Sequence, residues 1–114
     1  MEESNNKSKY NISLLILQQI SQMMSRANSY YRSGHIDSCF YEWKAIKFLM
    51  IGKLKPEERN KLKDKEKEIA PLLRSRSTWK QACTLVEDYI TDMQDYIERT
   101  EIGLAEKANE KVFT

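Results

Sequence analysis

A chain of 114 residues, 40% apolar and 32% charged, is long enough for one domain with one hydrophobic core and needs no disulfide or metal to hold it. Its formal net charge of +2 is close to neutral. With only three glycines and two prolines among many residues of good helix propensity, the expectation is an all-α domain with short connections.

The opening residues, 1–9, are polar with both charge signs, so they are expected to form a disordered tail ahead of a helical domain over 10–105. The apolar run Leu14, Leu15, Ile16, Leu17 is too short for a membrane span or a signal-peptide core, which points to a cytoplasmic protein with no membrane partner. From residue 11 to 33 the spacing predicts a first helix, with Ile12, Ile16, Ile20, Met23, Ala27 and Tyr30 on its inner stripe. Gly34 should end it in a left-handed conformation, and Asp37 is the expected N-cap of the next helix.

The second helix, 37–51, is the most apolar. Phe40, Trp43, Ile46 and Met50 form one face, and Tyr41, Ala45, Phe48 and Leu49 cover much of the rest. Such a helix lies centrally or offers an apolar side to a partner. Pro56, Glu57 and Glu58 suit the start of a third helix, 56–70, whose clear inward residues are Leu62 and Ile69. Pro71 is expected to stop or kink it. After the Ser77 and Thr78 cap candidates, Trp79, Ala82, Val86, Tyr89, Met93, Tyr96 and Thr100 mark a fourth helix over 78–105, and 106–114 is expected to fray. Short links favour antiparallel neighbours, hence a four-helix bundle or paired helical hairpins.

Ala27, Tyr30, Gly34, Ile36, Cys39, Trp43 and Ile46 follow a small, aromatic, glycine, large, small, aromatic, apolar spacing. Residues 27–46 thereby resemble the turn and second helix of a tetratricopeptide repeat. The resemblance implies a tight helical hairpin able to contribute to a peptide-binding surface, and no clamping residues carry over from it. Nothing recurs 34 residues on, where Asp64 and Glu68 stand, so no stacked superhelix is expected.

Charge is segregated along the chain. Residues 44–80 carry twelve basic and five acidic side chains, whereas residues 81–114 carry three basic and eight acidic. Asp88, Asp92 and Asp95 form an acidic stripe expected on the wet side of helix four. The basic region is expected to meet that helix, another subunit or solvent, unless it serves a polyanion.

No catalytic constellation is present. His35 is the lone histidine and sits in a turn, Cys39 and Cys83 lack the spacing of a zinc or redox pair, and no glycine-rich phosphate loop occurs. The functional expectation is therefore a non-catalytic protein–protein interaction module that self-associates, without cofactor, metal or small-molecule substrate. Tyr31, Tyr41, Phe48, Leu49 and Trp79 are its candidate partner-binding residues. The alternative is a nucleic-acid-binding accessory protein working through residues 53–80, with Arg59, Lys63, Lys67, Arg74, Arg76 and Lys80 as phosphate contacts. In style the chain also resembles small helical accessory proteins of phages and plasmids.

Overall fold

The computed structural model describes the backbone of residues 2–100 and the side chains of residues 15–100. It is an all-α bundle in which α1 (Glu2–Arg32), α2 (Ile36–Leu49), α3 (Pro56–Leu72) and α4 (Trp79–Glu98) follow one another, with 3-10 turns at Ile51–Lys53 and Arg76–Thr78. No strand occurs among the described residues.

The first turn is closed by backbone chemistry. The Gly34 N–H donates to the Tyr31 carbonyl at 3.1 Å and the His35 N–H to the Tyr30 carbonyl at 2.8 Å, the two bonds of a Schellman ending. Gly34 has φ +80°, where a side chain would be strained, so glycine is required by the backbone and not by crowding. The N-cap of α2 falls two residues earlier than expected: it is His35, and Asp37 lies inside the first turn with its carboxylate accepting from the Ser38 N–H at 2.9 Å. An acid in that turn still suits the helix dipole.

Four further boundaries differ from the sequence expectation. α1 takes in residues 2–9, where no glycine or proline interrupts the helix. α3 continues past Pro71 to Leu72. A proline in the last turn forfeits one hydrogen bond only, and the Leu73 N–H still reaches the Ile69 carbonyl at 3.2 Å. α2 ends at Leu49, ahead of Gly52, because the chain tightens into the 3-10 turn after Met50. α4 ends at Glu98, short of the expected 105: Arg99 is its C-cap and the Thr100 N–H turns back to the Ile97 carbonyl at 3.1 Å. The tail 106–114 lies outside the described residues.

Packing makes α2 the central element. α1 packs along one side of it, α4 along another, and α3 packs on α4. Ala27 of α1 and Cys39 of α2 are wholly buried, and these small residues let the two helices approach closely around Trp43 and Ile46. On the other side Phe40 meets Tyr89 edge-on, with centroids 5.4 Å apart. Val86, Tyr89, Met93 and Ile97 of α4 join Leu62 and Ile69 of α3 in the same core.

Side chains also lock α3 to its neighbours. The Lys55 N–H donates to Glu58 Oε1 at 2.9 Å, and Arg99 at the end of α4 pairs with the other oxygen of that carboxylate. Desolvation alone would raise the Glu58 carboxyl, but the Lys55 N–H and the Arg99 guanidinium outweigh it and hold it below its ordinary range. Asp92 corrects the acidic-stripe expectation: it turns towards α3, with Lys65 Nζ at 2.5 Å and Lys61 Nζ at 3.7 Å. A basic helix beside an acidic one draws a partly covered carboxylate inward, while Asp88 and Asp95 stay exposed.

Candidate functional site

The spacing three, four, three places Tyr41, Lys44, Phe48 and Ile51 along one side of α2 and its following turn. That side is the one the bundle leaves open. Tyr41 is 56% exposed, Phe48 60% and Ile51 42%. Lysines border it, with Lys44 Nζ 5.9 Å from the Tyr41 ring centroid and Lys47 Nζ 5.1 Å from that of Phe48.

Where the chain doubles back into α3, this strip becomes one wall of a cleft of about 400 Å³, lined by Lys47, Phe48, Ile51, Pro56, Arg59, Asn60, Lys63 and Glu66. Phe48, Ile51 and Pro56 supply an apolar floor. Arg59 and Lys63, one turn apart on α3, supply a cationic rim, and neither is in an ion pair among the described residues.

The inner end of the cleft is braced by a polar network. Lys47 is the one buried charged residue among those described, and its ammonium pairs with Glu66 Oε2. Tyr89 of α4 donates its hydroxyl to the same oxygen at 3.0 Å, and Lys44 Nζ lies 3.9 Å from the other. Three helices therefore converge on one carboxylate, which fixes the angle at which α3 meets α2. The Tyr89 hydroxyl is pushed well above its ordinary value, first by burial and then by the Glu66 charge.

Burial also pushes the Cys39 thiol up to about 11 from 9.0. Both groups are held neutral in the folded state, so the stability they contribute is complete below their unfolded values and lost as the pH climbs towards the folded ones. Urea midpoints are expected to fall from about pH 9 upward, Cys39 contributing first and Tyr89 from about pH 10. Cys39→Ala should flatten the lower part of that decline and Tyr89→Phe the upper part. A midpoint constant from pH 8 to 11 would show that neither group is buried in solution.

Of the expected partner-binding residues, the structure brings Phe48 into the cleft and leaves Tyr41 exposed further along the same strip. Tyr31 is exposed elsewhere, donating its hydroxyl to Glu87 Oε1 of α4 at 2.5 Å. Leu49 and Trp79 are half-buried against the core, because each falls on the edge of its helix that faces the bundle. Of the expected phosphate contacts, Arg59 and Lys63 line the cleft, Lys67 follows one turn on, and Arg74, Arg76 and Lys80 are exposed around the α3–α4 connection. Ile51, Pro56 and Glu66 are site residues that sequence reasoning missed. Their one signal was an apolar residue three positions after Phe48, followed by a reversal and a proline.

Among the described residues no group of His, Cys, Asp and Glu could hold a metal ion, and no helix is long and apolar enough to cross a membrane. No protein family, curated protein or solved structure matches this chain.

Proposed function

We propose that this chain is a helical protein–protein interaction module, without catalytic activity of its own, that binds its partner in the α2–α3 cleft. The observation that carries this reading is Phe48: a large aromatic, 60% exposed, on the floor of a braced cleft whose other apolar residues, Ile51 and Pro56, are also exposed. Leaving apolar area in water is unfavourable by roughly 25 cal/mol per Å², which a partner covering it recovers. Aromatics ringed by polar groups are the usual anchors of such surfaces.

The nucleic-acid reading draws on the same cations, but the cleft suits it less well. Glu66 stands in the wall, Asp64 and Glu68 interrupt the basic face of α3, and one side of the Phe48 ring is occupied by the Lys47 ammonium. A polyanion track needs a run of cations without such carboxylates. Self-association belongs to the proposal as a second use of exposed apolar surface, Leu15 and Tyr31 included.

Two experiments separate these readings. Light scattering over a range of concentrations should show a mass that rises with concentration. A salt titration with single-stranded and duplex oligonucleotides should show no binding that depends on Arg59 and Lys63. Tight oligonucleotide binding abolished by Arg59→Glu with Lys63→Glu would replace the protein-partner reading, and a strict monomer would remove self-association.

A further inference from the structure

We infer that the occupant of the α2–α3 cleft is an acidic partner segment that sets a large apolar side chain between Phe48, Ile51 and Pro56 and two carboxylates against Arg59 and Lys63. This inference rests on the interaction reading above and names the chemistry of the partner. Three cations line the cleft against one carboxylate, and that carboxylate, Glu66, is already matched by Lys47. Arg59 and Lys63 therefore keep their charge available. An ion pair at a rim adds modest energy by itself but steers encounter and rejects wrong partners.

The geometry constrains the segment further. Four residues along α3 separate the two cations by about 6 Å of helix rise. Carboxylates four apart on a helix, or two apart on a strand at about 6.6–6.8 Å, match that distance. A volume of about 400 Å³ accepts an anchoring side chain and its neighbours, not a whole helix, so the segment lies across the cleft and dips one residue into it.

The rest of the molecule points the same way. Glu87, Asp88, Asp95 and Glu98 are exposed on α4 and would repel an acidic ligand; Lys67, Arg74, Arg76 and Lys80 are exposed cations too, but the cleft is where exposed cations border the exposed apolar residues Phe48, Ile51 and Pro56. A second copy's α4 is not the occupant: its outer face has the acids but none of the exposed large apolar residues, which are Leu15, Tyr31, Tyr41, Phe48 and Ile51 among the described residues.

The test is selection of a phage-displayed random peptide library on the full chain, with depletion on Phe48→Asp, followed by fluorescence anisotropy of the enriched peptides. Phe48, Arg59 and Lys63 are exposed, so their substitutions should leave the circular-dichroism melt unchanged. The expected result is enrichment of peptides with one large apolar residue flanked by Asp or Glu. Their affinity should fall about tenfold or more in Arg59→Glu with Lys63→Glu, which is about 1.4 kcal/mol, and decline as salt is raised.

Selection repeated on that charge-reversed protein should favour Lys and Arg instead. Enrichment of neutral or basic peptides that need Phe48 but are indifferent to Arg59 and Lys63 would overturn the acidic inference and leave the cleft a protein site. No Phe48-dependent enrichment, or displacement of every enriched peptide by single-stranded oligonucleotide at lower concentration, would overturn both.

Discussion

Glu66→Ala is expected to destabilise the protein by about 3 kcal/mol, a fall in melting temperature of roughly 10–20 °C. The Lys47 and Glu66 side chains are only 8% and 12% exposed, so removing the carboxylate strands an ammonium where water reaches it poorly. The same change takes the acceptor from the buried Tyr89 hydroxyl. Lys47→Met should cost less, because Glu66 keeps Tyr89 and the more distant Lys44. The double replacement Lys47→Met with Glu66→Gln should return to within about 1 kcal/mol of the parent, since no charge is then buried and a glutamine oxygen can still accept from Tyr89. Denaturant unfolding of these four proteins gives the differences, and Glu66→Gln alone as a fifth closes the cycle with Lys47→Met and the double replacement. If Glu66→Ala alone cost no more than about 0.5 kcal/mol, the network would be solvated in solution and could not set the α2–α3 angle.

That network also shows where sequence reasoning stops. Helical period alone identified the inner faces: Ile20, Met23, Ala27, Phe40, Trp43, Ile46, Leu62, Ile69, Val86, Tyr89 and Met93 are all buried. Each is a large or small apolar residue on a three-four repeat, so the pattern is written locally. The partners of charges are not written locally. Lys47 and Glu66 are nineteen residues apart, Lys65 and Asp92 twenty-seven, and their pairing depends on which faces of three helices meet. Reading Asp92 as a wet residue from its position in an acidic run failed for that reason. The cleft was hidden in the same way, since Phe48 was visible as a surplus aromatic but Pro56 and Arg59 join it and Ile51 only once the chain has turned through Lys53 to Lys55. Even Leu49 and Trp79, as apolar as Phe48, could be separated from it only by the angle at which α1 and α4 pack.

Trp43→Ala is expected to cost about 3–5 kcal/mol, enough to unfold much of a marginal domain. Trp43 is 1% exposed and is the largest fully buried side chain in the core, on the central helix. The cavity it leaves is bounded by regular helices, which collapse into it poorly. Trp43→Phe should be far milder, about 1–2 kcal/mol. It gives up part of the ring area, but it also removes an indole N–H that is buried with no hydrogen-bond partner among the described residues, a group that itself costs about 1–3 kcal/mol. A Phe variant as unstable as the Ala variant would mean the N–H is satisfied in solution. The two substitutions also separate scaffold from site. Trp43 holds α2 between α1 and α4 and thereby presents Phe48 at the cleft, so Trp43→Phe should keep Phe48-dependent peptide binding at full affinity while its unfolding midpoint falls. Phe48→Asp should do the reverse, losing the peptide while unfolding at the parent's midpoint, because its ring lies outside the core that Trp43 anchors.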